Sequence, residues 1–158
     1  MKIIFLDVDG VLNCRHTEES IAGFVFVSED KILLLKEIID RTGAQVVLSS
    51  TWRWGWAYKE RNPNSTSNDV MLFEALQERL AEFGIELMDY TPELGMRSWE
   101  INDWLDKHQG EGIESYVVLD DRADELYDHE EQLVETDLEY GLTQEDVEQA
   151  VNILNGGV

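Results

Sequence analysis

The 158-residue sequence has little cysteine and few basic residues, and both scarcities exclude classes of function. Cys14 is the only cysteine, so the chain can form no internal disulfide and no cluster of thiolate metal ligands. Lysine and arginine number 12 against 34 acidic residues, a formal net charge of -22. Such a charge repels phosphate backbones and anionic membranes, so we expect no broad, nonspecific nucleic-acid binding.

Long apolar runs are also missing. The N-terminal run, Ile3 to Leu6, is interrupted by Asp7 and is too short for a signal peptide or a membrane span. We therefore expect no membrane partner and a reducing, cytoplasmic location. The composition, 43% hydrophobic and 29% charged, indicates a globular protein with a buried core. The length predicts a single domain over residues 1–155 with a frayed tail at 156–158.

Predicted strands and helices alternate along the chain. Short apolar runs predict strands at 3–6, 46–49, 85–88, 116–119 and 133–134. Apolar residues at helical spacing predict the helices between them, with caps at Ser28, Asn68 and Thr143 and a further start near Ser98. This alternation predicts an α/β fold whose central parallel sheet of five strands carries helices on both faces.

Two segments lack clean periodicity and are predicted as irregular inserts. The first spans residues 12–27, of which 24–27 can pair as a small hairpin. The second spans residues 52–69, and its second half contains Pro63 among Asn and Ser residues. We predict a mobile loop for that half.

Polar side chains follow three of the predicted strands. They are Asp7 and Asp9 after the first strand, Ser49 and Ser50 after the second, and Asp120 and Asp121 after the fourth. Ligands of parallel α/β sheets bind at the carboxyl ends of the strands, so these side chains should share one crevice. Two facing acidic pairs would repel each other unless a cation lies between them, and Mg2+ prefers such oxygen ligands.

These segments resemble known motifs. Asp7-Val8-Asp9-Gly10-Val11 resembles the first motif of the haloacid dehalogenase (HAD) superfamily, Val46-Val47-Leu48-Ser49-Ser50 the second and Leu119-Asp120-Asp121 the fourth. Segments 47–53 and 97–105 are similar to a small HAD group also found fused to RNA-repair proteins. The resemblance implies a HAD-like Rossmannoid three-layer sandwich with strand order 5-4-1-2-3. Both intervals that hold cap domains in the superfamily are short, so no large cap is expected.

The resemblance also implies a mechanism. The protein would be a Mg2+-dependent phosphatase in which Asp7 is the nucleophile that forms an aspartyl-phosphate. Asp9 would act as general acid and base, and its backbone carbonyl would bind the metal. Ser49 and Ser50 would bind phosphoryl oxygens.

The fourth and third motifs leave choices open. Asp120 and Asp121 would complete the metal site with Asp7 and Asp9. Asp121 aligns best with the direct ligand of the fourth motif, and Asp120 would assist through water or share that position. The third motif is a Lys or Arg that stabilises charge on the phosphoryl group. Arg97 occupies the expected place, and Lys107 and Arg53 are the alternatives.

The expected substrate is a phosphorylated small molecule, such as a nucleotide, or a nucleic-acid end. Three indole rings, those of Trp52, Trp54 and Trp56, follow the second motif and can either stack on a base or pack in the core. The alternative functions are a phosphoacceptor signalling domain and a noncatalytic phosphate-binding domain. Repeated release of phosphate would exclude both alternatives.

Overall fold

The computed structural model, which describes residues 1–156, contains one large parallel sheet and one small hairpin. The strands are β1 (Lys2–Leu6), β2 (Ser20–Ile21), β3 (Phe24–Val25), β4 (Gln45–Leu48), β5 (Leu87–Tyr90), β6 (Ser115–Asp120) and β7 (Leu133–Glu135). The large sheet has the order β5-β4-β1-β6-β7. When these five strands are numbered 1 to 5 in chain order and read from the β7 edge, the order is 5-4-1-2-3, as predicted.

Helices cover both faces of this sheet, as predicted. They are α1 (Glu29–Thr42), α2 (Arg53–Arg61), α3 (Asn68–Ala81), α4 (Arg97–Lys107) and α5 (Gln144–Leu154). Ile4 and Leu6 of β1 face a core shared with α1, α3 and α5, whereas Ile3 and Phe5 face a second core formed with α4. Residues 3–6 of β1 are buried on both faces of the sheet, and this part of the strand is a continuous apolar run.

Helix ends agree with the sequence where a local capping signal is strong. Gly43 ends α1 in the left-handed conformation, with φ of 73°. Thr143 begins α5 with a reciprocal capping box that includes Asp146. Ser28 precedes α1 as predicted, but its hydroxyl donates to the Leu12 carbonyl (3.4 Å) and does not cap the helix.

Two boundaries were predicted incorrectly. The cap of α3 is Ser67 and not Asn68, because the Ser67 hydroxyl accepts the Val70 amide hydrogen (3.4 Å). The strand predicted at 85–88 begins two residues later. The Ile85 amide donates to the Leu80 carbonyl (3.0 Å), so this buried apolar residue closes the end of α3.

The first half of the insert predicted at 52–69 is not irregular, because it forms α2. The sequence did not predict this helix because Gly55, a poor helix former, lies inside it. A Cβ atom at Gly55 would lie 2.0 Å from the Asp69 carbonyl oxygen, so the glycine lets α2 approach the start of α3.

The insert predicted at 12–27 contains the antiparallel hairpin of β2 and β3. Only residues 24–25 of the predicted hairpin segment belong to it, and Val27 is buried in the core. The connections around β4 hold this hairpin and three helices, α1, α2 and α3, and within residues 1–156 there is no large cap domain. Of the predicted frayed tail, residues 157–158 lie outside the described residues.

None of the helices described in residues 1–156 combines the length and the apolar character needed to cross a membrane.

Candidate active site

The carboxyl ends of β1 and β6 bring three carboxylates together. Asp7 follows β1, and its amide donates to the Leu119 carbonyl of β6 (3.0 Å). Asp120 ends β6 and Asp121 follows it. One carboxylate oxygen from each of the three acids lies within 4.8 Å of the other two. Asp7 and Asp120 are buried and Asp121 is partly exposed.

Burial and mutual repulsion both act on this acidic cluster. Burial, followed by the charge of Asp120, raises the pKa of Asp7 well above its ordinary value, against the opposing effect of Arg97. Burial raises the pKa of Asp120 to about 6, again opposed by Arg97. Asp120 Oδ2 has no hydrogen-bond partner among the described residues. A divalent cation would relieve the repulsion among the three carboxylates, which therefore fit such an ion.

Arg97, the first residue of α4, is the basic residue that reaches the acidic cluster. Its Nη2 lies 3.4 Å from Asp7 Oδ1 and its Nη1 lies 3.4 Å from Asp120 Oδ2. Nη1 also donates to the Ser49 carbonyl. The guanidinium therefore connects the ends of β1, β4 and β6.

The two alternative cations have other partners. Arg53 is buried, forms an ion pair with Glu100 (2.8 Å) and donates to the Ser50 carbonyl (3.0 Å). Lys107 lies at the end of α4, is 68% exposed and pairs with Asp103 (2.8 Å). Of these three cations, Arg97 is thus the one that lies against the acidic cluster, and its role as the third motif stays a prediction.

Both predicted phosphate-binding serines follow β4, but their surroundings differ. The Ser49 hydroxyl is fully buried and has no hydrogen-bond partner within the described part of the chain. The Ser50 hydroxyl accepts the Trp52 amide hydrogen (3.2 Å), which helps to begin α2. Of the two hydroxyls, that of Ser50 already forms a hydrogen bond within the described residues and that of Ser49 does not. A phosphate-binding role for either serine stays a prediction.

Asp9 is exposed, and its carboxylate is held outside the three-carboxylate cluster. Oδ1 accepts a hydrogen bond from Asn13 Nδ2 (2.9 Å) and Oδ2 accepts one from Trp52 Nε1 (3.2 Å). Asn13 is buried, and its Oδ1 also accepts the Gly10 amide hydrogen (2.9 Å). The sequence analysis named Trp52 only as a ring that can stack or pack and did not name Asn13, so it missed the role of both residues in holding Asp9. Metal binding by the Asp9 carbonyl stays a prediction.

Gly10 permits the turn that brings Asp9 and Asp121 to the same crevice. Its φ is 83°, and an added Cβ atom would lie 2.5 Å from Asp121 Oδ2. The Thr136 hydroxyl donates to the Gly10 carbonyl (2.7 Å), which holds the turn against the end of β7.

The three tryptophans after β4 have different environments. Trp56 packs against Phe73 (5.1 Å between ring centroids) and Tyr90 (4.8 Å), so it belongs to the core. Trp52 contacts Asp9, and Trp54 is 43% exposed. Of the two predicted roles, packing is confirmed for Trp56.

The chain matches the family described as the HAD domain in Swiss Army Knife RNA repair proteins over residues 3–147. No curated protein matches the chain. The match extends from β1 into α5 and includes every residue of the acidic cluster. HAD domains act on phosphorylated substrates and generally use a divalent metal, which agrees with the three clustered carboxylates. The chain belongs to this family of HAD domains, and its kind of activity is that of a HAD-type phosphoester hydrolase.

Proposed function

We propose that the protein is a Mg2+-dependent phosphomonoester hydrolase that works through an aspartyl-phosphate on Asp7. The observation that supports this most strongly is the cluster of Asp7, Asp120 and Asp121 with Arg97 against it. Three carboxylates and one guanidinium leave an excess of negative charge that a divalent cation neutralises. Oxygen ligands of this kind suit Mg2+.

Asp7 and Asp121 would hold the cation together with the Asp9 carbonyl. Asp120 is more enclosed, because its Oδ1 accepts the Arg122 amide hydrogen (2.9 Å) and its Oδ2 faces Arg97. We therefore assign the direct contact of the fourth motif to Asp121 and a supporting contact to Asp120. The bound cation supplies positive charge that lets an anionic phosphoryl group approach Asp7.

The reaction has two halves. In the first, Asp7 attacks phosphorus, the bond between phosphorus and the leaving oxygen breaks, and Asp9 gives that oxygen a proton. In the second, Asp9 takes a proton from water as the water attacks the aspartyl-phosphate, which releases inorganic phosphate and restores Asp7. Arg97 and Ser49 stabilise the charge on the transferred group.

The proposed substrate is a nucleotide or a nucleic-acid end. The RNA-repair context in the family description supports this choice, and the absence of a large cap among the described residues leaves room for a bulky phosphoester. The net charge of -22 disfavours a long polyanion, so a terminus or a mononucleotide fits better than an internal site. A cytoplasmic location stays a prediction.

The test is phosphate release from nucleotides, 3'- or 5'-phosphorylated oligonucleotides and sugar phosphates, with Mg2+ or with EDTA. We expect turnover by the wild type with Mg2+ and none by Asp7→Asn, while the surface variant Asp40→Asn retains wild-type rates. Phosphorylation of Asp7 without turnover would instead indicate a signalling domain. Binding of phosphate without either reaction would indicate a noncatalytic domain.

A further inference from the structure

A cavity of about 250 Å3 opens beside Asp9. Its apolar lining comes from three elements that the sequence places far apart: β3, the start of α2, and α3. These lining residues are Phe24, Val25, Trp52, Trp54 and Leu72.

Several of these apolar side chains are not buried by the fold. Phe24 is 46% exposed, Val25 is 53% exposed and Trp54 is 43% exposed. Trp52 is fixed between the Asp9 carboxylate, to which it donates, and the ring of Phe26 (6.2 Å between centroids). Exposed apolar groups that converge on a concave surface are typical of a ligand-binding site.

The position of Asp9 identifies which part of a substrate enters the cavity. A general acid must lie within hydrogen-bonding distance of the oxygen that it protonates. In the proposed reaction that oxygen belongs to the leaving group, and Asp9 forms part of the cavity wall. The leaving group attached to that oxygen therefore extends towards the cavity.

The lining limits the chemistry of this group. Within the described residues the cavity wall contains no lysine or arginine, and it contains the acids Asp9 and Asp69, so a second phosphate would be repelled. Two indole rings and a phenyl ring favour a neutral planar group that can stack. The volume is below the roughly 300–1,000 Å3 of drug-sized ligand sites, which leaves room for one ring system.

We propose that this cavity binds the nucleobase of the leaving nucleoside, whether in a nucleoside monophosphate or at a nucleic-acid end. The inference rests on the proposed phosphatase function, because the direction of the leaving group is taken from Asp9. It adds Phe24, Trp52 and Trp54 as the residues that recognise the base.

The test compares kcat/KM for nucleoside 3'- and 5'-monophosphates with kcat/KM for ribose 5-phosphate and glycerol phosphate, with Mg2+. We expect the wild type to prefer the nucleotides. Trp54→Ala should lower kcat/KM for them about 5- to 100-fold, chiefly through KM, because a stacking contact is lost. Trp54→Ala should leave kcat/KM for the two substrates without a base unchanged, and Trp54→Phe should retain most of the preference for nucleotides.

Tyr58→Ala is the matched control, because Tyr58 lies on the same helix, is 42% exposed and is outside the cavity wall. It should leave both substrate classes unchanged. A wild type without preference for nucleotides, or an equal loss of both classes in Trp54→Ala, would overturn the inference and leave the phosphatase proposal standing.

If the phosphatase proposal is wrong, the result is different, because no substrate then shows Asp7-dependent release of phosphate. The cavity is then tested by titrating Asp7→Asn protein with adenosine and uridine and following tryptophan fluorescence. Saturable binding that Trp54→Ala weakens and Tyr58→Ala preserves supports base binding. Binding that is absent, or that Trp54→Ala leaves unchanged, overturns it.

Discussion

Arg53 and Glu100 form an ion pair of 2.8 Å inside the protein, with side chains 6% and 3% exposed. Arg53 also donates to the Ser50 carbonyl, and Glu100 Oε2 accepts the Leu94 amide hydrogen (2.9 Å). The pair thus joins the start of α2 to α4 and to the loop before it. Since α4 carries Arg97, this contact helps to hold Arg97 in position relative to the start of α2.

Removal of one charge from this pair should destabilise the fold. Glu100→Gln keeps the side-chain shape but leaves the Arg53 charge buried without its partner, which should lower the free energy of unfolding by about 3–5 kcal/mol. Urea-induced unfolding measures this change. Lys107→Ala, which removes an exposed pair with Asp103, should cost less than about 1 kcal/mol. An equal loss of unfolding free energy in the two variants would show that the buried pair stabilises the fold no more than the exposed pair does.

Gly10→Ala should damage the metal site as well as the backbone. Gly10 and Gly95 have nearly the same φ, 83° and 87°, but an added Cβ meets Asp121 only at Gly10. Both alanine variants should lose about 1 kcal/mol of stability from backbone strain. Only Gly10→Ala should also weaken the rise in melting temperature that Mg2+ produces. If the two variants responded equally to Mg2+, the contact with Asp121 would have no role in metal binding.

Mg2+ should raise the melting temperature of the wild-type protein, and EDTA should remove the increase. A ligand at 100 times its Kd stabilises the folded state by about 2.7 kcal/mol. Asp121→Asn should abolish the effect, while Asp40→Asn should retain it. NaCl at matched ionic strength controls for screening, and an equal increase with NaCl would argue against a specific site.

Arg97→Lys should impair catalysis although the positive charge remains. The two terminal nitrogens of Arg97 face Asp7, Asp120 and the Ser49 carbonyl, a set that one amino group cannot contact together. We expect kcat/KM for phosphate release to fall about 100-fold or more, since charge stabilisation in the reacting site is lost. Lys107→Arg serves as the control. Wild-type kinetics in Arg97→Lys would show that one positive charge suffices at this position and that the several contacts of the guanidinium are not needed for catalysis.

His129 should make the stability depend on pH. Its ring is buried, its Nδ1 lies 2.7 Å from Tyr116 Oη, and burial lowers its pKa below the ordinary value of 6.5. As the pH falls, His129 therefore takes up a proton in the unfolded chain at a higher pH than in the folded chain. The stability that neutral His129 contributes is complete above about pH 6.5 and is lost as the pH falls below it. The difference in unfolding free energy between wild type and His129→Gln should shrink as pH falls. A difference between wild type and His129→Gln that does not change with pH would contradict the prediction.

Much of the fold follows from local sequence, because a strand buried on both faces must be apolar throughout and the chain must turn where Asp7 or Asp120 interrupts it. The alternation of these runs with helices predicted a parallel sheet, whereas the strand order was predicted from the resemblance to the HAD superfamily. Element boundaries were less predictable, since neighbouring residues such as Ser67 and Asn68 are equally able to cap a helix. The backbone geometry around them decides which one does.

Residue patterns were sufficient to identify the acidic residues of the crevice, the parallel sheet that gathers them and the family. Which basic residue joins them depends on how the helices pack. Arg53, Arg97 and Lys107 carry the same charge, but only the first turn of α4 brings a guanidinium to the ends of β1 and β6. The structure also brought Trp54 and Phe24 to one cavity beside Asp9. Such neighbours depend on how helices and a hairpin pack over long sequence distances, which local patterns do not encode.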